Sequence, residues 1–356
     1  MGLFGGGKVL TGLDIGASAV KLVKGTLKKS SFDVERLVIV PLPNGAIDDR
    51  GIVRVDDVTA AVTAAIAELG AKAGTPLAIS LRGGSVVTKR VVIPKVKKGE
   101  LEETIKWEAE QVFPQDMAST LVEHVVVGEI KNLPDAPPGT PGVEVLLIGV
   151  NEEIVGNLHD MITNSGGACK LIDLDGFVCA SFLSTAMGMA KTETVGFIDV
   201  GASATRTTVM TNGTVTFLRE FPIGGNSFTD SISMSLGLSF ENAEALKIQD
   251  EGGIPADAVE AIRSQLVTWK NELQQCEDLY VTQNATGPVT RWILFGGAAK
   301  TPGLYQSLQD ARFGERIEPF KAEEFFRAKG RAVDPALLAA WSMRLVSSAG
   351  LSTKKG

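Results

Sequence analysis

Apolar positions along this chain follow two periods, and the switches between them mark its elements. Alternating or continuous apolar runs predict strands at Val9 to Leu13, Val20 to Val23, Phe32 to Val40 and Pro76 to Leu81. A Pro/Asn/Gly turn at Pro41 to Gly45 follows the third, and the fourth ends at Arg82-Gly83-Gly84. Between them Val58, Ala61, Val62, Ala65, Ile66 and Leu69 recur at helical spacing, so a helix is expected from an Asp57 N-cap to Leu69. From about Ser85 to Lys170 the pattern reads as a separate small α/β unit. Its strands are Val86 to Ile93, Leu121 to Ile130 and Val143 to Val150. Its helices are Glu100 to Phe113, stopped by Pro114, and Glu152 to Ser165, with a Pro/Gly-rich loop at Asn132 to Gly142. Strand, helix, strand, strand, helix, strand in that order gives one sheet with helices on one face.

Beyond Leu171 to Leu174 a helix is expected over Phe177 to Met187, and then a second half opens. It carries strands between Val195 and Met210 and at Thr214 to Phe221, then helices near Ser227 to Leu236 and Phe240 to Ile248. A long amphipathic helix from Asp257 to Tyr280 places Val259, Ile262, Leu266, Trp269, Leu273 and Cys276 near one face. Strand Arg291 to Phe295 runs into Gly296-Gly297-Ala298-Ala299, and a last helix, Pro335 to Ser347, is expected to pack back onto the first half.

The two halves share a feature that changes the picture. Asp14-Ile15-Gly16-Ala17-Ser18-Ala19 and Asp199-Val200-Gly201-Ala202-Ser203-Ala204 differ only by Ile for Val. Each ends a buried strand and begins another, so each reads as a hairpin with a small-residue turn. A carboxylate delivered into such a turn can hold a hydrated divalent cation. The glycine and its small neighbours let backbone N–H groups close on phosphate oxygens. One copy is an ordinary turn; two near-identical copies facing each other would grip a nucleotide's phosphates from both sides. Lys21 follows the first turn at a distance suited to a phosphate, and Arg206 stands at the same offset after the second.

Composition narrows the class without naming it. With 356 residues, 44% hydrophobic and 22% charged, the chain has enough apolar content for two domains or one bilobed fold. A net charge of -7 gives no support for general binding to nucleic acid or an anionic membrane surface. Cys169, Cys179 and Cys276 have no CxxC spacing, and His124 and His159 stand alone, so neither a disulfide framework nor a zinc site is expected. No apolar run approaches the roughly 18–20 residues of a membrane helix, and the Gly-rich start at Met1 to Gly7 is no signal sequence. The expectation is a cytoplasmic protein, without nucleic-acid binding or direct membrane insertion.

Four further features suit a nucleotide cleft. Asp173 and Asp175 stand at a strand-to-helix junction, where a carboxylate reaches a metal-bound water or caps the helix. Gly224-Gly225-Asn226 precedes a helix, a place where N–H groups meet anions. Glu244 and Lys247 share a helix face, suited to ribose and base or to a surface ion pair. Gly296-Gly297-Ala298 offers a flat shelf for adenosine. Neither a P-loop nor a GxGxxG after a strand is present.

The order of these motifs resembles the actin-like ATPase superfamily: phosphate loops at Asp14 to Lys21 and Asp199 to Thr207, a connecting segment at Ile172 to Ser181, and an adenosine motif at Leu294 to Gly303. Within it, Gly12 to Val23, Ile105 to Gln111, Ile223 to Asn226 and Ala243 to Lys247 are similar to the PilM family of the type IV pilus machine. The resemblance implies an α/β, actin-like ATPase fold with two ribonuclease-H-like lobes and a small α/β subdomain inserted in the first. The expected divisions are 8–84 and 171–191 for the first lobe, 85–170 for the insertion, 192–333 for the second lobe, and 334–350 returning to the first. It implies ATP held by Asp14, Gly16, Ala17, Ser18, Lys21, Asp199, Gly201, Ala202, Ser203, Thr205, Gly224, Gly225, Asn226, Glu244, Lys247, Gly296, Gly297 and Ala298. Magnesium would be oriented through water by Asp14, Asp199 and Asp175, the last an Asp where PilM-like sequences often carry Glu.

No catalytic base can be assigned, and slow or absent hydrolysis is implied. The implied partner is the N-terminal cytoplasmic tail of the membrane protein PilN, docked beside the inserted subdomain. Other pilus inner-membrane and motor proteins, and a ring or other homo-oligomer, are also implied, and these partners would hold the protein at the inner membrane. A sugar or acetate kinase shares such a cleft but needs a base, and an FtsA-like division filament usually carries an amphipathic membrane tail that Leu351 to Gly356 is not.

Overall fold

The structure is a computed structural model that describes residues 9–70, 74–82, 86–97, 99–113, 119–249, 253–283, 288–309, 313 and 316–355. The tail Met1 to Gly7, the Gly83-Gly84 pair and Pro114, all singled out in the sequence, lie outside the described residues.

The first half forms β1 (Thr11–Gly16), β2 (Ala19–Leu27), β3 (Phe32–Pro41), α1 (Val55–Glu68) and β4 (Thr75–Leu81). The first three strands are an antiparallel meander, and β4 adds parallel to β1. Helix α1 starts two residues before the expected Asp57 cap, so Asp57 lies inside its first turn, where it pairs with Arg54 (2.5 Å) instead of capping. Then come β5 (Val86–Pro94), α2 (Leu101–Val112), β6 (Thr120–Ile130), β7 (Gly142–Asn151), α3 (Glu152–Asn164), β8 (Gly167–Leu174) and α4 (Asp175–Ala186). The sheet read into 85–170 is smaller than expected. Strands β5, β7 and β6 form a three-stranded antiparallel sheet with α2 on a small core of its own, around Ile93, Ile105, Ala109, Val145 and Leu147. Strand β8 instead pairs parallel with β4, and α3 packs on β8. Its apolar face, Leu158, Met161 and Ile162, finds a larger core there, beside Val62, Ile66 and Leu77.

The second half repeats the first. Strands β9 (Thr194–Val200), β10 (Thr205–Thr211) and β11 (Thr214–Phe221) form the meander, followed by α5 (Gly225–Leu236), α6 (Phe240–Lys247) and α7 (Ala256–Gln283). Strand β12 (Arg291–Phe295) lies parallel to β9, and after α8 (Leu304–Gln309) the short β13 (Ile317–Pro319) lies parallel to β12. The order β11-β10-β9-β12-β13 therefore matches β3-β2-β1-β4-β8 strand for strand. On α7 the residues that face the core are Ala258, Ile262, Leu266, Trp269, Leu273, Cys276 and Tyr280, while Val259 is exposed.

The chain then crosses back. After α9 (Ala322–Phe325), β14 (Phe326–Ala328) extends the first sheet beside β3, where Phe326 packs edge-on to Phe32 with centroids 5.7 Å apart. The expected last helix is two pieces, α10 (Pro335–Trp341) and α11 (Val346–Ser352), divided by a 3₁₀ turn at Ser342–Arg344. Asp334 caps the first by accepting from Ala336 N, with Pro335 at the first helical position. Helix α11 is buried along its whole length against β1, β2, β4 and α4, and small residues permit that approach. A Cβ on Gly12 would lie 1.9 Å from the Ser348 carbonyl oxygen.

Candidate functional site

The two hairpins carry the same arrangement because their registers are the same. Asp14 lies opposite Lys21 across β1 and β2, and Asp199 lies opposite Arg206 across β9 and β10. Seven residues apart and cross-strand, each aspartate meets its cation: Lys21 Nζ is 2.7 Å from Asp14 Oδ2, and Arg206 Nη1 is 2.6 Å from Asp199 Oδ2. Arg206 is 7% exposed, so it is no surface strand cation. It also reaches Asp175 (3.4 Å) and, through Nε, Glu220 (2.6 Å).

A third cation, Arg82 at the end of β4, completes the cluster. Its Nη2 touches Asp14 and stands 3.1 Å from Asp175 Oδ1. Asp175 is the first residue of α4 and 2% exposed; it accepts from Ser347 Oγ on α11 and caps nothing. Burial works against its ionisation, but Arg82 and Arg206 outweigh burial and hold its carboxyl at about 2. Asp199 goes the other way, since burial pushes its carboxyl up and Arg206 only partly offsets it.

The sign for stability follows from the Asp175 shift. A carboxyl lowered from 3.8 to about 2 stabilises the fold above its unfolded value and loses that contribution as pH falls through about 2. The contribution is about 2 kcal/mol, from roughly 1.4 kcal/mol per unit. Urea midpoints should fall between about pH 4 and 2, and Asp175→Asn should flatten that part of the curve. An unchanged acid limb in the variant would show that Asp175 contributes nothing to it.

Between the two sheets lies a cleft of about 440 Å³. Of the residues selected from the sequence it is lined by Asp14, Gly16, Ala17, Ser18, Lys21, Asp199, Gly201, Ala202, Gly225, Asn226, Glu244, Lys247, Gly296, Gly297 and Ala298. Four selected residues sit differently. Ser203 faces a second cavity. Thr205 is fully buried, donating to Ile223 O (2.6 Å) and accepting from Trp269 Nε1 (2.8 Å), so it fixes the turn from beneath. Gly224 packs against the turn's backbone, where a Cβ would come within 2.7 Å of Gly201 O and Ala204 N. Asp175 lies behind the cleft wall, inside the charge cluster.

Two readings need correction. The N–H groups opening α5 do not all point outward: Gly225 N donates to Gly201 O and Asn226 N to Ala202 O, both at 2.8 Å. That helix end holds the second turn in shape. Lys247 is buried rather than on a surface pair, with its ammonium on Gly225 O (2.8 Å), Thr229 Oγ1 (2.7 Å) and Glu244 (2.6 Å). Burial lowers its pKa, and Glu244 resists the fall. Asp173, the other junction acid, pairs with Lys354 (2.8 Å) instead.

Sequence reasoning missed Arg82, Glu220, Trp341, Arg344 and Ser347. Arg344 and Trp341 stack at 4.5 Å and line the cleft beyond the Gly296-Gly297 shelf. None of the five belongs to a local motif; an unexplained arginine closing a strand, Arg82, was the only signal.

A second cavity of about 630 Å³ opens behind the turns. Its walls are the Ile47 to Val55 segment, the face of α3 carrying Ile154, Leu158 and Met161, and the end of β4. Ala17, Arg82, Gly201 and Ala202 line both cavities, so a thin wall of turn backbone and one arginine separates them.

Two sheets of one strand order facing across a cleft, each giving it an Asp-Gly turn, define an actin-like ATPase fold. The model of the family "Type IV pilus assembly protein PilM" matches residues 12–355, and the chain belongs to that family. A solved structure titled PilM-PilN type IV pilus biogenesis complex superposes with a TM-score of 0.81, at 22% identity, covering 97% of this chain and 98% of that one. The ethanolamine utilization protein EutJ from Carboxydothermus hydrogenoformans superposes at 0.54, with 13% identity, covering 97% and 91%. Cell division protein FtsA of Bacillus subtilis is 26% identical over 257 residues, which are 67% of this chain and 57% of FtsA, so this chain spans a little over half that relative's length. No described helix is long and apolar enough to cross a membrane.

Proposed function

We propose that the chain is an ATP-binding assembly adaptor of the type IV pilus machine, gripping the N-terminal cytoplasmic tail of PilN and coupling that grip to nucleotide occupancy. The observation that carries the nucleotide half is the pair of register-matched Asp-Gly turns lining one cleft with the Gly296-Gly297 shelf. Phosphates would lie on the turns and on Lys21. The base would lie between the shelf, Glu244 and the Arg344–Trp341 pair. Every aspartate in the cluster is paired with a cation, which lowers the basicity a carboxylate would need to activate water. That supports binding with slow or absent turnover.

The partner half rests on family membership and on the fold shared with the PilM-PilN complex. We assign the tail to the second cavity. Its volume is ordinary for a ligand site and its walls are mainly apolar. A place near the insertion is supported by the chain order, since β4 leads towards the inserted sheet and α3 follows it. Anisotropy of a labelled PilN tail peptide should report binding that changes by about 5–150-fold when ATP is added, the usual range of coupling between two sites. Ile154→Glu, on an exposed edge of this cavity, should cost about tenfold or more by burying a charge against the peptide. Wild-type affinity in that variant would place the tail elsewhere. Attachment to the inner membrane would follow through that partner.

A further inference from the structure

Magnesium was expected to stand among Asp14, Asp175 and Asp199, and the donor set there does not suit it. Mg²⁺ keeps most of its waters and is held by one or two carboxylates together with substrate phosphates. Those carboxylates must be open to its water shell. Here Lys21 takes one oxygen of Asp14 and Arg82 the other. On Asp175, Ser347 and Arg82 take one oxygen and Arg206 stands 3.4 Å from the other. Arg206 also holds Asp199 Oδ2, which leaves Asp199 Oδ1, beside Gly296, as the one aspartate oxygen of the three without a cation within 4 Å among the described residues, while Asp175 Oδ2 is buried. The cluster's own cations already neutralise most of its carboxylate charge, so the carboxylates by themselves draw little on an ion. Asp14, Asp175, Asp199 and Glu220 contribute four negative charges, and Lys21, Arg82 and Arg206 three positive ones, for a net of -1.

We propose that phosphate binding in this cleft runs without a divalent cation, with the Arg82 guanidinium between Asp14 and Asp175 supplying the positive charge at that place. The ligand class is a metal-free nucleoside di- or triphosphate, and the inference rests on the nucleotide reading of the cleft. Arg82 has the means. It lines the cleft, its Nε is buried with no hydrogen-bond partner, and a guanidinium carries five donors in a planar fork that fits phosphate oxygens. The two aspartates fix the fork from behind, so an arriving phosphate meets an ordered cation. A mobile surface arginine would first have to lose its rotamer freedom.

Calorimetry of the full chain with ATP, in excess magnesium and in excess EDTA, tests the idea directly. The dissociation constants are expected to agree within about threefold, under 1 kcal/mol on the affinity scale. A loss of affinity in EDTA larger than that overturns the proposal and leaves the nucleotide reading standing. No binding in either buffer overturns the nucleotide reading itself. In EDTA, Arg82→Gln should weaken ATP by about tenfold or more, since a charged hydrogen bond is lost. Affinity retained in a folded variant would show that Arg82 does not carry the phosphate. The wild-type comparison needs no variant, so the proposal stays open to refutation should Arg82→Gln fail to fold.

Discussion

Replacing Arg206 by Met is expected to lower folding stability by about 3–5 kcal/mol, more than loss of any exposed charge in this chain, because it strands buried carboxylates. Arg206 is the common partner of Asp175, Asp199 and Glu220, and its side chain is 8% exposed. Methionine fills much of the same volume, so the cost comes from charge rather than from a cavity. The pH dependence separates the two. Burial already pushes the Asp199 carboxyl up, and removing Arg206 takes away the stronger of the two cations that hold it down, leaving only Arg82. A raised carboxyl stabilises the fold below its unfolded value and loses that contribution as pH rises through the folded value. The deficit should therefore be smaller near pH 5 than near pH 8, in urea titrations of variant against wild type. A pH-independent deficit would mean that packing, not the stranded carboxylates, is responsible. Adding Asp199→Asn should recover part of the loss at pH 8.

The same cluster shows what could be read from the sequence and what could not. The hairpins were legible because their chemistry is local. An Asp and a cation seven residues apart across a tight turn must meet once the strands pair, and both copies obey that rule. Arg82 was not legible. It reaches Asp14 only because β4 lies parallel to β1, a pairing between segments about 65 residues apart that no local spacing encodes. Ser347 is further still: its hydroxyl sits 3.2 Å from Ser80 across 267 residues, placed by the return of α11 to the first sheet. That return is legible, but the break at Ser342–Arg344 is not, since Leu337, Leu338, Trp341 and Leu345 carry one apolar pattern across it and α11 beyond the break packs on α4 and β1. Strands β13 and β14 are three residues each, too short for periodicity to register. The assignment of α3 to the inserted unit failed for a related reason. Its amphipathic pattern fixes that it packs on a sheet, not which one.

Gly296→Val is expected to destabilise the protein by about 2–6 kcal/mol, and its neighbour Gly297→Ala by less than about 1 kcal/mol. The two glycines look alike in sequence, and the structure separates them. Gly296 has φ +97, outside the region that L-residues occupy readily. A Cβ there would stand 2.3 Å from Asp199 Oδ1 and 2.5 Å from Val200 O, where β12 runs closest to the second turn. Neither neighbour can yield: one is strand backbone and the other is held by Arg206. At Gly297 the three atoms nearest an added Cβ all belong to the Arg344 side chain, from 2.9 Å at Nε, and that side chain can swing out over the cleft. Thermal melts should thus separate the pair, with a large fall in Tm at 296 and a small change at 297. Nucleotide affinity gives a second, independent order. Gly297→Ala should still weaken ATP, by displacing Arg344 from the shelf, in a protein nearly as stable as the wild type. Equal melting temperatures for both variants would mean that the close approach of β12 to the Asp199 turn is not what the glycine at 296 serves.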